Sequence, residues 1–306
     1  MIEKNGIYEI KITDISTQGS GIGRVFGMVV FVPDLVPGDR ASVRITKIDK
    51  NLAHGFCEVL IEPSKDRAPA PCPYFEQCGG CQLQSITYEA QLRLKVKQLD
   101  DKLERIYGGT APYQEAIIGM EHPWKYRNKV EFAVSAGRAV MGKDGSISNT
   151  EPAVVGFYDN TSRRVIDCEN CMIQSPVAAK AAQALRDFID ESGISVYDEK
   201  NGKGRLRKMI VRVGAESREV MIVLVINGNK FKQKQLLADY MYDAIDELNY
   251  EAEADSDRPQ YELVSLQVNY NTGKSVAVPG KRSESFRWTP WKELPCPASG
   301  VDAARS

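Results

Sequence analysis

Three cysteines sit within one short run, Cys72-Pro73-Tyr74-Phe75-Glu76-Gln77-Cys78-Gly79-Gly80-Cys81, and two more, Cys168 and Cys171, form a second group. Thiolates placed this way can reach a single soft metal centre, because deprotonated sulfur suits iron-sulfur clusters and zinc. Pro73 stiffens the start of the run, while Gly79 and Gly80 let the backbone wrap so that Cys78 and Cys81 point the same way. The chain holds seven cysteines, an odd count with five of them clustered, which argues against a secreted disulfide framework. Zinc ribbons usually supply two close pairs, whereas here three cysteines stand together with a longer first gap; bacterial ferredoxin spacing does not fit either. A fourth ligand must come from elsewhere, and Cys168 and Cys171 are both candidates on a loop after a strand.

A second chemistry is written in Trp124-Lys125-Tyr126-Arg127-Asn128-Lys129, which interleaves aromatics with cations. That mixture stacks bases and neutralises phosphates; ordinary surface cations at a strand entrance are the plain alternative. Lys203-Gly204-Arg205-Leu206-Arg207-Lys208, with Arg212, is a second basic stretch. Charge alone would make it only a solvated edge strand, since lysines and arginines also blunt exposed edges. Gln18-Gly19-Ser20-Gly21-Ile22-Gly23-Arg24 is glycine-rich but does not lie between a strand and a helix of a βαβ unit, so it is weak as a dinucleotide loop. Arg24, Arg40, Arg44 and Lys47 are further candidate phosphate contacts. His54 and His122 have no neighbours that suggest a ligand set or a nucleophile-base pair.

These residues need elements to position them. From Ile7 to about Glu62 the pattern is short strands (7–13, 28–32, 41–46 and 55–61) separated by turns at Gly19, Gly21, Gly23 and Pro37-Gly38-Asp39, a small β-barrel. Residues 63–73 read as an extended, proline-containing linker. A helix follows over about 87–107, with Leu92, Val96, Leu99, Leu103 and Ile106 on one face, and Gly108-Gly109 stops it. Strands are expected at 126–134, 153–158, 163–166, 206–213, 220–226 and 263–269, with helices from Ser175-Pro176 to Gly193 and over about 230–248. After about Gly280 the periodicity is lost, and the Pro-, Ala- and Ser-rich remainder reads as disordered.

Bulk composition sets the limits. The 306 residues are 42% hydrophobic and 26% charged, with a net charge of −1. That is a globular composition with room for two or three domains, and any nucleic-acid contact must come from local patches rather than overall basicity. No segment approaches the length of a membrane span, so the cytoplasm is the expected location.

The Cys-Pro-x4-Cys-Gly-Gly-Cys-x2-Gln run, following a barrel of this type, resembles the TRAM-domain RNA (uracil-5-)-methyltransferases. In that family the clustered cysteines and a later one hold a four-iron four-sulfur (4Fe-4S) cluster. The later one opens a Cys-x-Ile-Gln type run, matched here by Cys171-Met172-Ile173-Gln174. The resemblance therefore assigns Cys72, Cys78, Cys81 and Cys171 as ligands, with Cys168 as the competitor. It makes the glycine-rich segment the turn of the TRAM barrel, and a Tyr-Arg-Asn-Lys run such as Tyr126 to Lys129 recurs in the family's central domain. The RNA contacts expected from the barrel, the aromatic-cationic run and the second basic stretch are Arg24, Arg44, Trp124, Tyr126, Arg127, Lys129, Arg205, Arg207 and Lys208.

The expected class is α+β and multidomain: an OB-like TRAM barrel over 1–63, a central α+β iron-sulfur domain over 64–280, and a non-family tail over 281–306. Family members continue into a Rossmann-like domain that binds S-adenosylmethionine and supplies a cysteine nucleophile for C6 of the uracil. The Asp-Pro-Pro-Arg signature, the glycine-rich cofactor loop and the nucleophile context of that domain are not found, and Cys296, in Leu294-Pro295-Cys296-Pro297-Ala298, lacks such surroundings. The expectation is thus that the C-terminal methyltransferase domain is absent, through a frameshift or premature end near Lys281, that no catalytic residue is carried, and that the chain alone is inactive. S-adenosylmethionine would then bind only the complete enzyme. RNA is the expected partner, ribosomal in preference to transfer RNA, with no membrane and no obligate protein partner. The stripe on helix 87–107, left uncovered, would favour self-association. The alternative is a stand-alone RNA-binding iron-sulfur protein.

Overall fold

The computed structural model describes residues 1–108, 116–137, 139–141, 147–149, 152–253, 260–273, 280 and 282–286. The chain divides into two compact units, one of residues 1–124 with 157–166 and one of residues 125–156 with 167–306.

In the first unit, β1 (Ile7–Ile15), β2 (Gly21–Val25), β3 (Met28–Val32), β4 (Arg40–Ile48) and β5 (Leu52–Glu62) close a barrel in the order β1-β2-β3-β5-β4. Closure removes the unpaired edges that an open sheet would expose. Alternation along each strand sends Ile10, Ile12, Val30, Val32, Val43 and Ile45 inward, where all are nearly or fully buried. Residues 21–25, expected as part of a turn, instead form β2. A Cβ on Gly23 would stand 2.3 Å from Ile10 Cγ2 and 2.8 Å from the Lys11 carbonyl, so the glycines serve close strand contact; of this run only Gly19, at φ +85°, makes the turn.

The expected linker is docked rather than free. The fully buried Asp39 carboxylate accepts the N–H groups of Val36 at 2.7 Å and Ser64 at 2.8 Å, and two guanidinium N–H groups of Arg67 at 2.9 and 2.7 Å. Ala68 N–H then donates to the Ser85 carbonyl at 2.9 Å, leading the chain towards α1 (Tyr88–Tyr107). Thr87 caps α1 by accepting the Ala90 N–H, and Gly108 ends it in the left-handed region at φ 74°. The face of α1 that packs differs from the stripe read in the sequence: Ala90 and Leu94 join Val36, Leu83 and Ile86, whereas Leu99 is 57% and Ile106 82% exposed.

The sheet associated with the second unit has seven strands in the order β10-β9-β6-β11-β12-β13-β14. They are β6 (Lys129–Ser135), β9 (Val154–Tyr158), β10 (Val165–Asp167), β11 (Leu206–Val213), β12 (Glu219–Ile226), β13 (Glu262–Tyr270) and β14 (Arg282–Phe286); β7 (Ala139–Met141) and β8 (Ile147–Asn149) pair separately. Residues 157–166, which include the outer end of β9 and most of β10, group with the first unit. Helix α2 (Pro176–Ser192) starts at the capping Ser175 and stops at Gly193, as its sequence signals predict. Helix α3 (Lys234–Glu253) makes the crossover between the parallel neighbours β12 and β13. Leu185 and Phe188 on α2 and Leu237 and Met241 on α3 are fully buried, and the Phe188 and Tyr240 rings meet edge-on between the two helices, 6.5 Å apart.

Arg282–Phe286, expected as tail, adds an antiparallel edge strand to β13. Its anchor is Asn269, 2% exposed, whose amide donates to the Gly280 carbonyl at 2.8 Å and Ser283 Oγ at 2.9 Å and accepts the Gly280 N–H at 2.6 Å. An exposed edge strand needs no apolar alternation, which is why periodicity missed it. The remainder of the expected tail, with Cys296, lies outside the described residues. Among the described residues no helix is long and apolar enough to cross a membrane.

Removing Arg67 leaves the Asp39 charge buried and half-partnered. Arg67→Met should cost about 3–5 kcal/mol, read as a lowered midpoint in urea denaturation followed by a signal from the barrel; a midpoint unchanged from wild type would remove this pair from its structural role.

Candidate nucleic-acid interface and cysteine loop

The cysteine loop is built as a tight turn. Phe75 N–H donates to the Cys72 carbonyl at 3.1 Å, and the Tyr74 carbonyl accepts Gln77 N–H at 3.1 Å and Cys78 N–H at 2.7 Å. Gly80 N–H donates to Cys78 Sγ at 3.4 Å. The loop rests on the turn between β9 and β10: Gly79 N–H meets the Tyr158 carbonyl at 3.0 Å and Asn160 N–H meets the Gln77 carbonyl at 3.0 Å. A Cβ on Gly79 would lie 3.2 Å from the Tyr158 oxygen and 3.3 Å from Asn160 Cα, so the glycine also eases a close approach of the backbone to this turn.

Cys72, Cys78 and Cys81 are half-buried and not in disulfides. Cys168 and Cys171 belong to the second unit. The Cys171 thiol is pulled down to about 6, first by a hydrogen bond with Cys168 and, against the opposing effect of burial, by the N–H groups of Ile173 and Gln174 and the charge of Arg127. Among the described residues no three Cys, His, Asp or Glu side chains gather where they could hold a metal ion.

The candidate RNA contacts divide sharply. On the barrel, Arg24 is exposed and its guanidinium donates to the Gly27 carbonyl at 3.2 Å. Arg44 is tied to Glu58 at 2.5 Å, Arg40 to Glu9 and Glu62, and Lys47 to Asp49. His54 stacks on Phe31 with ring centroids 5.8 Å apart. In the second basic stretch, Arg205 donates to the Lys230 carbonyl. Arg207 donates to the carbonyls of Asn271 at 2.9 Å and Gly273 at 2.7 Å and lies over the Tyr197 ring at 4.2 Å. Lys208 pairs with Glu131 at 2.7 Å. The edge-strand alternative for this stretch fails, because β11 lies inside the sheet between β6 and β12. These cations hold the fold together.

The aromatic-cationic run is placed differently. Trp124, half-buried, ends the first unit. Lys125 N–H donates to the Met172 carbonyl at 2.9 Å and Arg127 N–H to the Ile173 carbonyl at 3.0 Å, so residues 125–127 run alongside 172–174. Tyr126 stays 51% exposed. Together these segments and the start of α2 line a cleft of about 750 Å³, whose cations are Lys125, Arg127, Lys180 and Arg218. Lys129 lies apart, held by Glu131 at 2.7 Å. Gln174, Arg218 and Tyr261 line the cleft too and were not singled out in the sequence. Gln174 stood in the quoted Cys-x-Ile-Gln run; Arg218 and Tyr261 come from the approaches to β12 and β13, which only the fold brings near.

Glu131 opposes the basic character of this face. Burial alone would raise its carboxyl, but the hydrogen bonds and charges of Lys129 and Lys208 outweigh it and hold it below the ordinary carboxylate range. A depressed folded value means the interaction is intact above that range and is lost as pH falls through the lowered value. Glu131→Gln should therefore release Lys129 at neutral pH and raise RNA affinity about two- to tenfold, the scale of one added phosphate contact. Fluorescence anisotropy against a labelled single strand measures this, and unchanged affinity would show that Lys129 faces no RNA.

Comparison with known proteins adds the following. Residues 3–56 match the TRAM domain. An uncharacterized RNA methyltransferase of Halalkalibacterium halodurans is 38% identical over 244 residues, 80% of this chain and 51% of that protein. One from Clostridium tetani is 35% identical over 282 residues, 92% of this chain and 55% of that protein. The crystal structure of a Pyrococcus abyssi tRNA (uracil-54, C5)-methyltransferase in complex with S-adenosyl-L-homocysteine superposes with a TM-score of 0.56 at 24% identity, covering 90% of this chain and 55% of that one; at that identity the likeness concerns the fold. The chain spans about half the length of the curated relatives it matches.

One expectation is overturned by these matches. The absence of a methyltransferase domain, and the inactivity expected to follow, do not stand: RNA methyltransferases align over 80% and 92% of this chain. The loss of periodicity after Gly280 had suggested a break in the family pattern, yet Arg282–Phe286 continue the same sheet.

Proposed function

We propose, from the premise that this chain carries a TRAM domain and is homologous to RNA methyltransferases, that the protein serves S-adenosylmethionine-dependent methylation of C5 of a uracil in RNA, with ribosomal RNA preferred. The observation that carries the reading is the alignment with RNA methyltransferases over 80–92% of the chain. S-adenosylmethionine, when bound, supplies the methyl group. The described residues contribute on the RNA side: a base must leave its stack before its ring can be modified, and a barrel together with a cationic cleft can hold the flanking strand meanwhile. Arg24, Tyr126 and Arg127 are the sequence-selected residues whose exposure suits that task. The ribosomal preference rests on the joint presence of the barrel and the cysteine loop. With reduced thiols in play, the cytoplasm is the compartment this reading implies.

Incubation with radiolabelled S-adenosylmethionine and either ribosomal or transfer RNA should give C5-methyluridine on nucleoside analysis, with ribosomal RNA the better substrate. Methylation of transfer RNA alone would reverse the target assignment. RNA binding without any incorporation would instead favour a stand-alone RNA-binding protein.

The finer reading of the cysteine loop is that Cys72, Cys78, Cys81 and Cys171 hold a 4Fe-4S cluster. The donor chemistry fits: the three loop thiols are half-exposed, Cys78 Sγ accepts an N–H, and the Cys171 thiol is pulled towards thiolate. Such a cluster would supply a covalent clamp on the loop. Anaerobic purification should give about four iron atoms and matching sulfide per chain, lost in Cys171→Ser. Loss only in Cys168→Ser would reassign the fourth ligand, and zinc in place of iron would overturn the reading.

A further inference from the structure

Gln174 is 4% exposed and lines the cleft at the start of α2, yet its side-chain amide makes no hydrogen bond with any described residue. Buried polar side chains are normally paired, and the Gln174 amide is not among the sealed side-chain atoms that lack a partner, so its polar end opens onto the cleft. This one carries a donor and an acceptor at the surface of a cleft of about 750 Å³, within the usual range for a small-ligand site. Around it the lining separates by character. Pro176, Ala179, Val213 and Leu248 give an apolar floor, and Tyr126 and Tyr261 offer rings at its sides. Of the cations, Lys180 is neutralised by Glu251 at 2.7 Å, whereas Arg127 and Arg218 form no ion pair among the described residues. The first turn of α2 adds the positive end of a helix dipole.

An apolar floor, a side-chain amide that opens onto the cleft and two guanidinium groups match the parts of a nucleotide: a flat base, a base edge with adjacent donor and acceptor, and a phosphate. We propose that this cleft is a subsite for one unpaired nucleotide of an RNA strand. Its base lies on the apolar floor with its edge against Gln174, and its phosphate lies between Arg127 and Arg218. Unpaired bases are what proteins read in RNA by stacking and edge hydrogen bonds, and a base still paired in a helix could not enter. The inference rests on the RNA reading above but adds to it a specific pocket and an unpaired state.

The test uses the full chain and short single-stranded RNA carrying 4-thiouridine, with photocrosslinked peptides identified by mass spectrometry and affinity measured by fluorescence anisotropy. Crosslinks should fall on the segments of Tyr126, Gln174 or Tyr261. Gln174→Leu should weaken binding about tenfold, the loss of a base hydrogen bond, and Arg218→Gln should weaken it while reducing the salt dependence by about one counterion. Duplex RNA should bind equally to all three proteins. Arg218 sits on the turn before β12, so its variant keeps the test decisive if Gln174→Leu fails to fold. Crosslinks confined to the barrel, with both variants binding as wild type, would overturn the subsite and leave RNA binding intact. An abasic strand held as tightly as RNA would overturn the base assignment, and no RNA binding at all would sink both this inference and the reading beneath it.

Discussion

The carboxylate of Asp39 is the constraint on which the first unit depends. It is fully buried and accepts two backbone N–H groups and two guanidinium N–H groups. A charge removed from water survives only where hydrogen bonds and an opposite charge replace its hydration. Here that replacement fixes the Pro37-Gly38 turn, the exit of the barrel at Ser64 and the direction of the chain at Arg67. Gly38 completes the arrangement, since a Cβ there would meet Ser64 Oγ at 2.6 Å. The path of the chain beyond the barrel, towards the cysteine loop and α1, follows from this contact, which no periodicity in residues 63–73 announces.

The second unit is organised by a different rule. Its sheet places cations on interior strands, where they must be satisfied by neighbours. Lys208 is drawn to Glu131, and Arg207 to two carbonyls and a tyrosine ring. Density of positive charge along the chain is therefore a poor guide to an interface, because what matters is which cations are left without a carboxylate or carbonyl nearby. Arg127 and Arg218 both line the cleft, although only Arg127 lies in a conspicuously basic run.

The cysteine loop illustrates the same separation of composition from arrangement. Its glycines were read as freeing the thiols to converge, and Gly79 in addition lets the backbone of the β9–β10 turn lie close against it. Cys78 Sγ meanwhile accepts the N–H of Gly80. The donors are legible from spacing alone; their geometry depends on contacts over eighty residues away in the chain.

What the sequence determined by itself is what short-range rules decide: the alternating strands of the barrel, α1 from about Thr87 to its stop at Gly108, α2 from its cap at Ser175 to its stop at Gly193, and the β11 boundaries at Leu206 and Val213. Its resemblance to RNA methyltransferases was equally readable, because three cysteines at fixed spacing after a barrel are a specific pattern. Only the tertiary structure decided that Gly21–Val25 is a strand, that Arg282–Phe286 joins the sheet through Asn269, and that Ala90 and Leu94 rather than Leu99 and Ile106 face the core of the first unit. It also decided that Gln174, Arg218 and Tyr261 share a cleft with Tyr126 and Arg127. The physical reason is common to all of these: each depends on burial and on hydrogen-bond partners far away in sequence, and a local window contains neither.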